Sequence, residues 1–181
     1  MFLEIDNRLL ELDDEIKIIT NKLSFEVFSK FILNQSFLKS DIDNLSYSGV
    51  YLIEIKNSGE KDNFEDWIQN FKSIWLGENN CYEKCFTPNI KKKRIVTHSE
   101  LHEWIPIYIG KSKNIKNRLS EHFFKKLHQT TFSLKLLERK NLYGNQFRIS
   151  TIKIEVKNYD IIMPIIENEL RNKINPILGR Q

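Results

Sequence analysis

The sequence predicts an α+β fold: a small, mainly antiparallel sheet flanked by helices, with a helical extension at the N-terminus. Two patterns predict it. Apolar residues recur at helical spacing around residues 1–46, 63–75, 115–123 and 159–173, whereas residues 46–56, 105–110 and 147–156 alternate or run as short apolar blocks. The two kinds of segment interleave as helix, strand, insert, strand, helix, strand, helix. With 181 residues, 40% of them hydrophobic, the chain can bury one sizeable core.

Taken in order, residues 1–46 read as a helical extension. Leu3, Leu9, Leu10, Ile16, Ile19 and Leu23 form a rough apolar stripe opposite Asp and Glu, and a second short helix is expected from Ser24 to Leu33. The acidic face points to packing or to a homodimer through these helices. Residues 47–181 form the main domain, opening with a strand over Ser46 to Lys56 between Ser and Gly turn signals. An insert, 57–103, carries a helix from Asn63 to Trp75 that buries Phe64, Trp67, Ile68, Phe71 and Ile74; these rings read as core rather than as base-stacking platforms. Thr131 to Lys140 fits helix or strand equally. Phe147 to Val156 alternates as a strand, and Tyr159 to Lys173 is a helix that Pro176 ends.

Composition narrows the function classes. No apolar run reaches the ~20 residues that span a bilayer, and the N-terminus lacks a basic, apolar signal segment, so a soluble, cytoplasmic protein without membrane contact is expected. Two Cys make no disulfide framework. The net charge of +4 hides an asymmetry: residues 1–83 hold 8 Lys and Arg against 16 Asp and Glu, and residues 84–148 hold 15 against 4. A basic block of that size suits a polyanion.

Within that block the run from Trp104 to His122 organises the chain. It begins as an apolar strand, meets Gly110, whose missing Cβ permits a sharp turn, and enters a helix through a Ser and Asn region able to cap it. Arg118 and His122, four apart, stand one helical turn above each other. Upstream lies Gly49-Val50-Tyr51; Tyr108-Ile109-Gly110 follows; Arg118 is ten positions beyond Tyr108 and His122 four further; Glu167 precedes Leu170, Pro176 and Gly179.

This ordered set resembles the GIY-YIG endonucleases. It departs from them in Val50 for Ile, in Gly179 where many members carry Asn, and in the long segment 52–107 between the two triplets. The resemblance implies a metal-dependent endonuclease acting on DNA, double-stranded by expectation, with Tyr51, Tyr108, Arg118, His122 and Glu167 as the catalytic set and Gly49, Gly110 and Lys111 in support. Glu167, a hard oxygen ligand, would hold Mg²⁺ or Mn²⁺. Arg118 would present a planar pair of donors to phosphate oxygens. Tyr51 is the first choice for general base and His122 the second; a phenol of pKa ~10 needs nearby cations such as Lys111, Arg118 or the metal to serve. Embedding the extra mass between the triplets favours a stand-alone, restriction-like enzyme. A repair or mobile-element nuclease, and a member of the fold that binds nucleic acid without cutting it, are the alternatives.

Two features of the insert and its surroundings complete the reading. Lys91, Lys92, Lys93 and Arg94 form a run expected to grip DNA phosphates away from the reacting atoms, together with Lys113 and Lys116 on the central helix. Cys81, Cys85, His98 and His102 have spacing that fits a closed tetrahedral Zn²⁺ site. Equally, the cysteines read as ordinary thiols, with Thr97 capping a short helix on which the two histidines share a face.

Overall fold

The computed structural model describes residues 2–37, 39–77 and 86–179. Helix α1 spans Phe2–Asn21, strand β1 Glu26–Ile32, β2 Gly49–Lys56, helix α2 Phe64–Gly77, β3 Asn89–Ile90, the single turn α3 Lys92–Ile95, β4 Trp104–Ser112, α4 Ile115–Phe124, β5 Gln146–Lys153, α5 Tyr159–Ile174 and β6 Leu178–Gly179. The architecture is α+β, built on one four-stranded antiparallel sheet of order β1-β5-β2-β4, with β3 and β6 forming a separate two-stranded clip.

Strand β2 sits inside the sheet and is buried on both faces, which explains its nearly unbroken apolar sequence. Tyr51, Ile53 and Ile55 face a core filled by Trp67, Phe71 and Trp75 of α2 and by Leu119 and Phe123 of α4. Val50 and Leu52 face the opposite layer, where Met163, Ile166 and Leu170 of α5 cover them and Ile16 and Leu23 add the edge. Gly49 is required by close approach. A Cβ there would stand 2.1 Å from the carbonyl oxygen of Ile152 on β5, a contact no side chain tolerates. The insert helix α2 is therefore part of the main core, with Trp75 rather than Ile74 fully inside.

Two expectations are corrected. Residues 24–33 are not a helix: Glu26–Ile32 is a strand paired antiparallel with β5, with a register shift between Val27 and Ser29. Phe25, Val27, Phe28, Phe31 and Ile32 are aromatic or β-branched, and this preference for a half-buried pleated surface outweighs the helical spacing. On α1, Leu3, Leu9, Leu10 and Ile19 are exposed, because α1 meets α5 along the side carrying Ile16. Segment 131–140 is neither helix nor strand. It coils through a 3₁₀ turn at Leu136–Glu138, preceded by Lys135 in the left-handed region at φ 57°.

Part of the basic block is internal. The Lys135 amine is buried and donates to the carbonyls of Leu127 and Gln129 at 2.9 and 2.6 Å. Buried Arg139 stacks 3.5 Å over the Trp75 ring and donates to the Leu134 carbonyl, and Arg148 forks both oxygens of Glu54 at 2.6 Å. These three cations hold loops and strands together and are not free to meet an anion. Among the described residues, no helix is long and apolar enough to cross a membrane.

Candidate active site

Two tyrosines define the floor of a cleft at the β4 edge of the sheet. Tyr51 pairs in register with Gly110, and Tyr108 lies two residues before Gly110, so both rings rise from the same face. Their centroids are 6.2 Å apart, stacked at 24°. Gly110 does not turn the chain, contrary to the sequence expectation; β4 runs straight through it to Ser112. Its missing side chain instead makes room for Tyr51: a Cβ would lie 2.3 Å from the phenol oxygen and 3.1 Å from Tyr108 Cε1.

Helix α4 supplies the next two groups, and its start is fixed locally. Asn114 caps it by accepting the Asn117 N–H at 2.9 Å, and Ser112 Oγ accepts the Asn114 N–H. Ile115, Leu119 and Phe123 bury one face, which turns His122 inward and brings Arg118 to the cleft. Fully buried His122 places Nε2 2.8 Å from Tyr51 Oη, while its Nδ1 accepts the Leu134 N–H at 3.1 Å. A backbone N–H can only donate, so Nδ1 is the acceptor nitrogen and the proton of the neutral ring sits on Nε2, donating to Tyr51. Burial, with the Arg118 charge beside it, holds the imidazole well below its usual pKa and keeps it neutral.

Arg118 donates through Nη1 to Glu121 and through Nη2 to the Phe132 carbonyl at 2.7 Å. Burial opposes its charge, but Tyr51 and Glu121 more than offset this, and its pKa is raised. Burial pushes the Tyr51 phenol well up and Tyr108 adds to that, while Arg118 pulls it down. Burial therefore outweighs the neighbouring cation that the sequence reading counted on.

The carboxylate comes from the other layer. Glu167 on α5 reaches the cleft around the β4 edge, held by Arg171 one turn on, which donates to its Oε1. Among the described residues no hydrogen bond reaches Oε2. Glu167 and Arg118 do not pair with each other; each has its own partner of opposite charge on its own helix. Among the described residues, the cleft, about 380 Å³, is lined by four cationic side chains, Arg94, Lys111, Arg118 and Arg171, and by a single carboxylate, Glu167. A concave, net-positive surface of that kind suits an anion carrying phosphate oxygens.

Beside this cationic cleft, the uncommitted Glu167 oxygen fits Mg²⁺ that would be held by one protein oxygen, with water and an anion filling its other positions. Among the described residues there is no group of three or more metal-ligating side chains. The zinc expectation falls partly outside the described residues, because Cys81 and Cys85 lie there. His98 stacks on Phe64 at 4.7 Å, and its Nε2 is 2.8 Å from the Asn175 carbonyl; His102 is exposed.

The remaining predicted binders are dispersed. Lys113 is exposed and paired with Asp160 at 2.9 Å, and Lys116 with Asp43 at 2.8 Å. Lys92 and Lys93 are exposed, whereas Lys91 is half-buried and Arg94 lines the cleft. Sequence reasoning missed Arg171, although its i,i+4 spacing from Glu167 on an expected helix was a usable signal. Comparison of the chain with protein-family models, with curated proteins and with solved structures returned no match.

Proposed function

We propose that the protein is a metal-dependent DNA endonuclease of the GIY-YIG kind, restriction-like in role. The observation that supports this most is convergence: Tyr51 of β2, Tyr108 of β4, Arg118 and His122 of α4 and Glu167 of α5, scattered over more than a hundred positions, meet around one cationic cleft.

The reaction adds water across a phosphodiester. Tyr51 acts as the phenolate, its own proton first lost to solvent: the water oxygen bonds to phosphorus as a water proton passes to the Tyr51 oxygen and restores the phenol, and the bond from phosphorus to the leaving oxygen breaks, that oxygen taking a proton from solvent. His122 orients Tyr51 by donating Nε2–H to Oη, a bond that strengthens when the phenol is ionised. With the Nδ1 lone pair engaged by the Leu134 N–H and Nε2 carrying the proton, the imidazole has no free lone pair facing Tyr51, which supports Tyr51 over His122 as the base. Arg118 faces the phosphate oxygens, and Tyr108 forms the wall against which water and phosphate are held. Glu167 would hold Mg²⁺ or Mn²⁺, which when bound polarises the phosphate and neutralises the leaving oxygen.

The deep burial of Tyr51, 1% exposed, favours a second reading in which the chain binds nucleic acid without cutting it. Incubating purified protein with duplex plasmid, with and without Mg²⁺, separates the two: Mg²⁺-dependent nicking or cutting supports the enzyme, and a mobility shift with intact DNA supports the binder. Neither outcome would leave the cationic cleft without a nucleic-acid role. The exposed apolar residues of α1, Leu3, Leu9 and Leu10 among them, support a homodimer through that helix, which sedimentation at two concentrations tests.

A further inference from the structure

The basic run 91–94 is not one patch. Successive residues of a helical turn point about 100° apart, so Lys92 and Lys93 face solvent while Arg94 turns into the cleft beside Arg118, Glu167 and Arg171. The inward turn is fixed by the clip between β3 and β6: Asn89 pairs with Gly179 and Ile90 with Leu178, and the Lys91 N–H donates to the Ile177 carbonyl at 2.9 Å. Ile95, 7% exposed, anchors the far side of the turn. Gly179 leaves the guanidinium its space, because a Cβ there would stand 3.3 Å from Arg94 Nη1 and 3.2 Å from Lys91 Cε.

The donors of Arg94 are uncommitted. Nη1 is buried with no hydrogen-bond partner among the described residues. Arg118 and Arg171, in the same cleft, each donate to a protein acceptor. Burial pulls the Arg94 guanidinium below its ordinary pKa, with Arg171 acting the same way and Glu167 against it, so an anion entering the cleft relieves both penalties. A half-buried guanidinium with no acceptor among the described residues, lining a cleft already rich in cations, is matched by a phosphate with several free oxygens.

We infer that Arg94 is a catalytic residue, its guanidinium binding a non-bridging oxygen of the phosphate seated in the cleft, beside Arg118. This rests on the phosphodiester reading above. It separates Arg94 from Lys92 and Lys93, which contact the flanking backbone at most.

The test compares Arg94→Ala, Arg94→Lys and a Lys92→Ala/Lys93→Ala double variant of the full chain, each checked for an unchanged thermal melt. In single-turnover cleavage of duplex DNA at saturating protein, Arg94→Ala should lose at least about a hundredfold in rate, as for one lost preorganised donor. Arg94→Lys should recover part of that loss. The double variant reports on binding alone and should lower the slope of log K against log salt by up to ~1.8, at ~0.9 per phosphate contact. Arg94→Ala cutting at the wild-type rate overturns the inference. Inorganic phosphate binding, followed by calorimetry, gives a readout independent of cutting: Arg94→Ala should weaken it at least tenfold, and unchanged affinity overturns the inference. Should the wild type cut no DNA while Arg94→Ala still weakens phosphate binding, the nuclease reading fails and the phosphate contact stands.

Discussion

His122 donates Nε2–H to the Tyr51 oxygen, because its other nitrogen is occupied by the Leu134 N–H. The imidazole is therefore a fixed, neutral donor, and its neutrality has a cost that pH exposes. In the unfolded chain the ring titrates near 6.5, and in the fold its pKa is well below that. A depressed folded pKa means that the unfolded state binds more protons as pH falls below 6.5. The contribution to stability is therefore complete above 6.5 and declines as pH falls from there toward the folded pKa. Urea denaturation between pH 7.5 and 5 should show this acid-side slope, and His122→Gln should lose that share of it. An identical slope in the variant would mean that the ring titrates alike in the folded and unfolded chain.

Glu167→Gln should abolish Mg²⁺-dependent cutting while leaving DNA affinity within a few-fold. The amide oxygen still accepts from Arg171, so the local fold is kept, but the charge that would hold the metal is gone. Cutting by this variant at a normal rate would remove Glu167 from the metal assignment.

Arg118→Lys is not a conservative change. The guanidinium reaches Glu121 and the Phe132 carbonyl with two separate nitrogens, which one ammonium cannot reproduce together with a phosphate contact. Loss of about 3 kcal/mol of transition-state stabilisation is expected, a fall in rate of a hundredfold or more. Single-turnover rates at saturating DNA decide this, with a near-normal rate assigning Arg118 to structure alone.

Gly110→Ala tests the packing beneath Tyr51. The new methyl would lie 2.3 Å from the phenol oxygen and 2.7 Å from Cζ, and the ring is pinned by His122, so it cannot swing away freely. A destabilisation of about 1–3 kcal/mol is expected, with loss of cutting. Adding Tyr51→Phe removes the worst overlap and should return part of the stability, so the two changes will not be additive. Additive losses in urea melts would show that Gly110 serves something other than Tyr51.

The strands and helices that carry the site were legible because each announces itself locally. Strand β2 is a buried apolar run between turn residues, β5 alternates, and α4 follows a capping Asn. Strand β1 was not legible, since the spacing of Leu23, Phe28, Phe31 and Ile32 also fits a helix and only pairing with β5 decides between them. The five motif residues could be named from their order, but not the reason Gly110 is glycine, which depends on Tyr51 lying opposite in register. Charge was the least readable property. Lys135 and Arg139 look like surface residues and are buried on backbone carbonyls, while the direction of Arg94 depends on a two-residue clip formed with β6.

The cleft draws on both layers of the sheet, and this gives it a timetable during synthesis. The tyrosines and most of the cations leave the ribosome first; Glu167, from the opposite layer, follows Arg118 by about fifty positions, on the order of several seconds at ~10 residues per second. During that interval the nascent chain holds the groups that attract a phosphate without the carboxylate proposed to bring the metal. Under the proposed function, cutting competence would arrive only when α5 docks and brings Glu167 to the cleft.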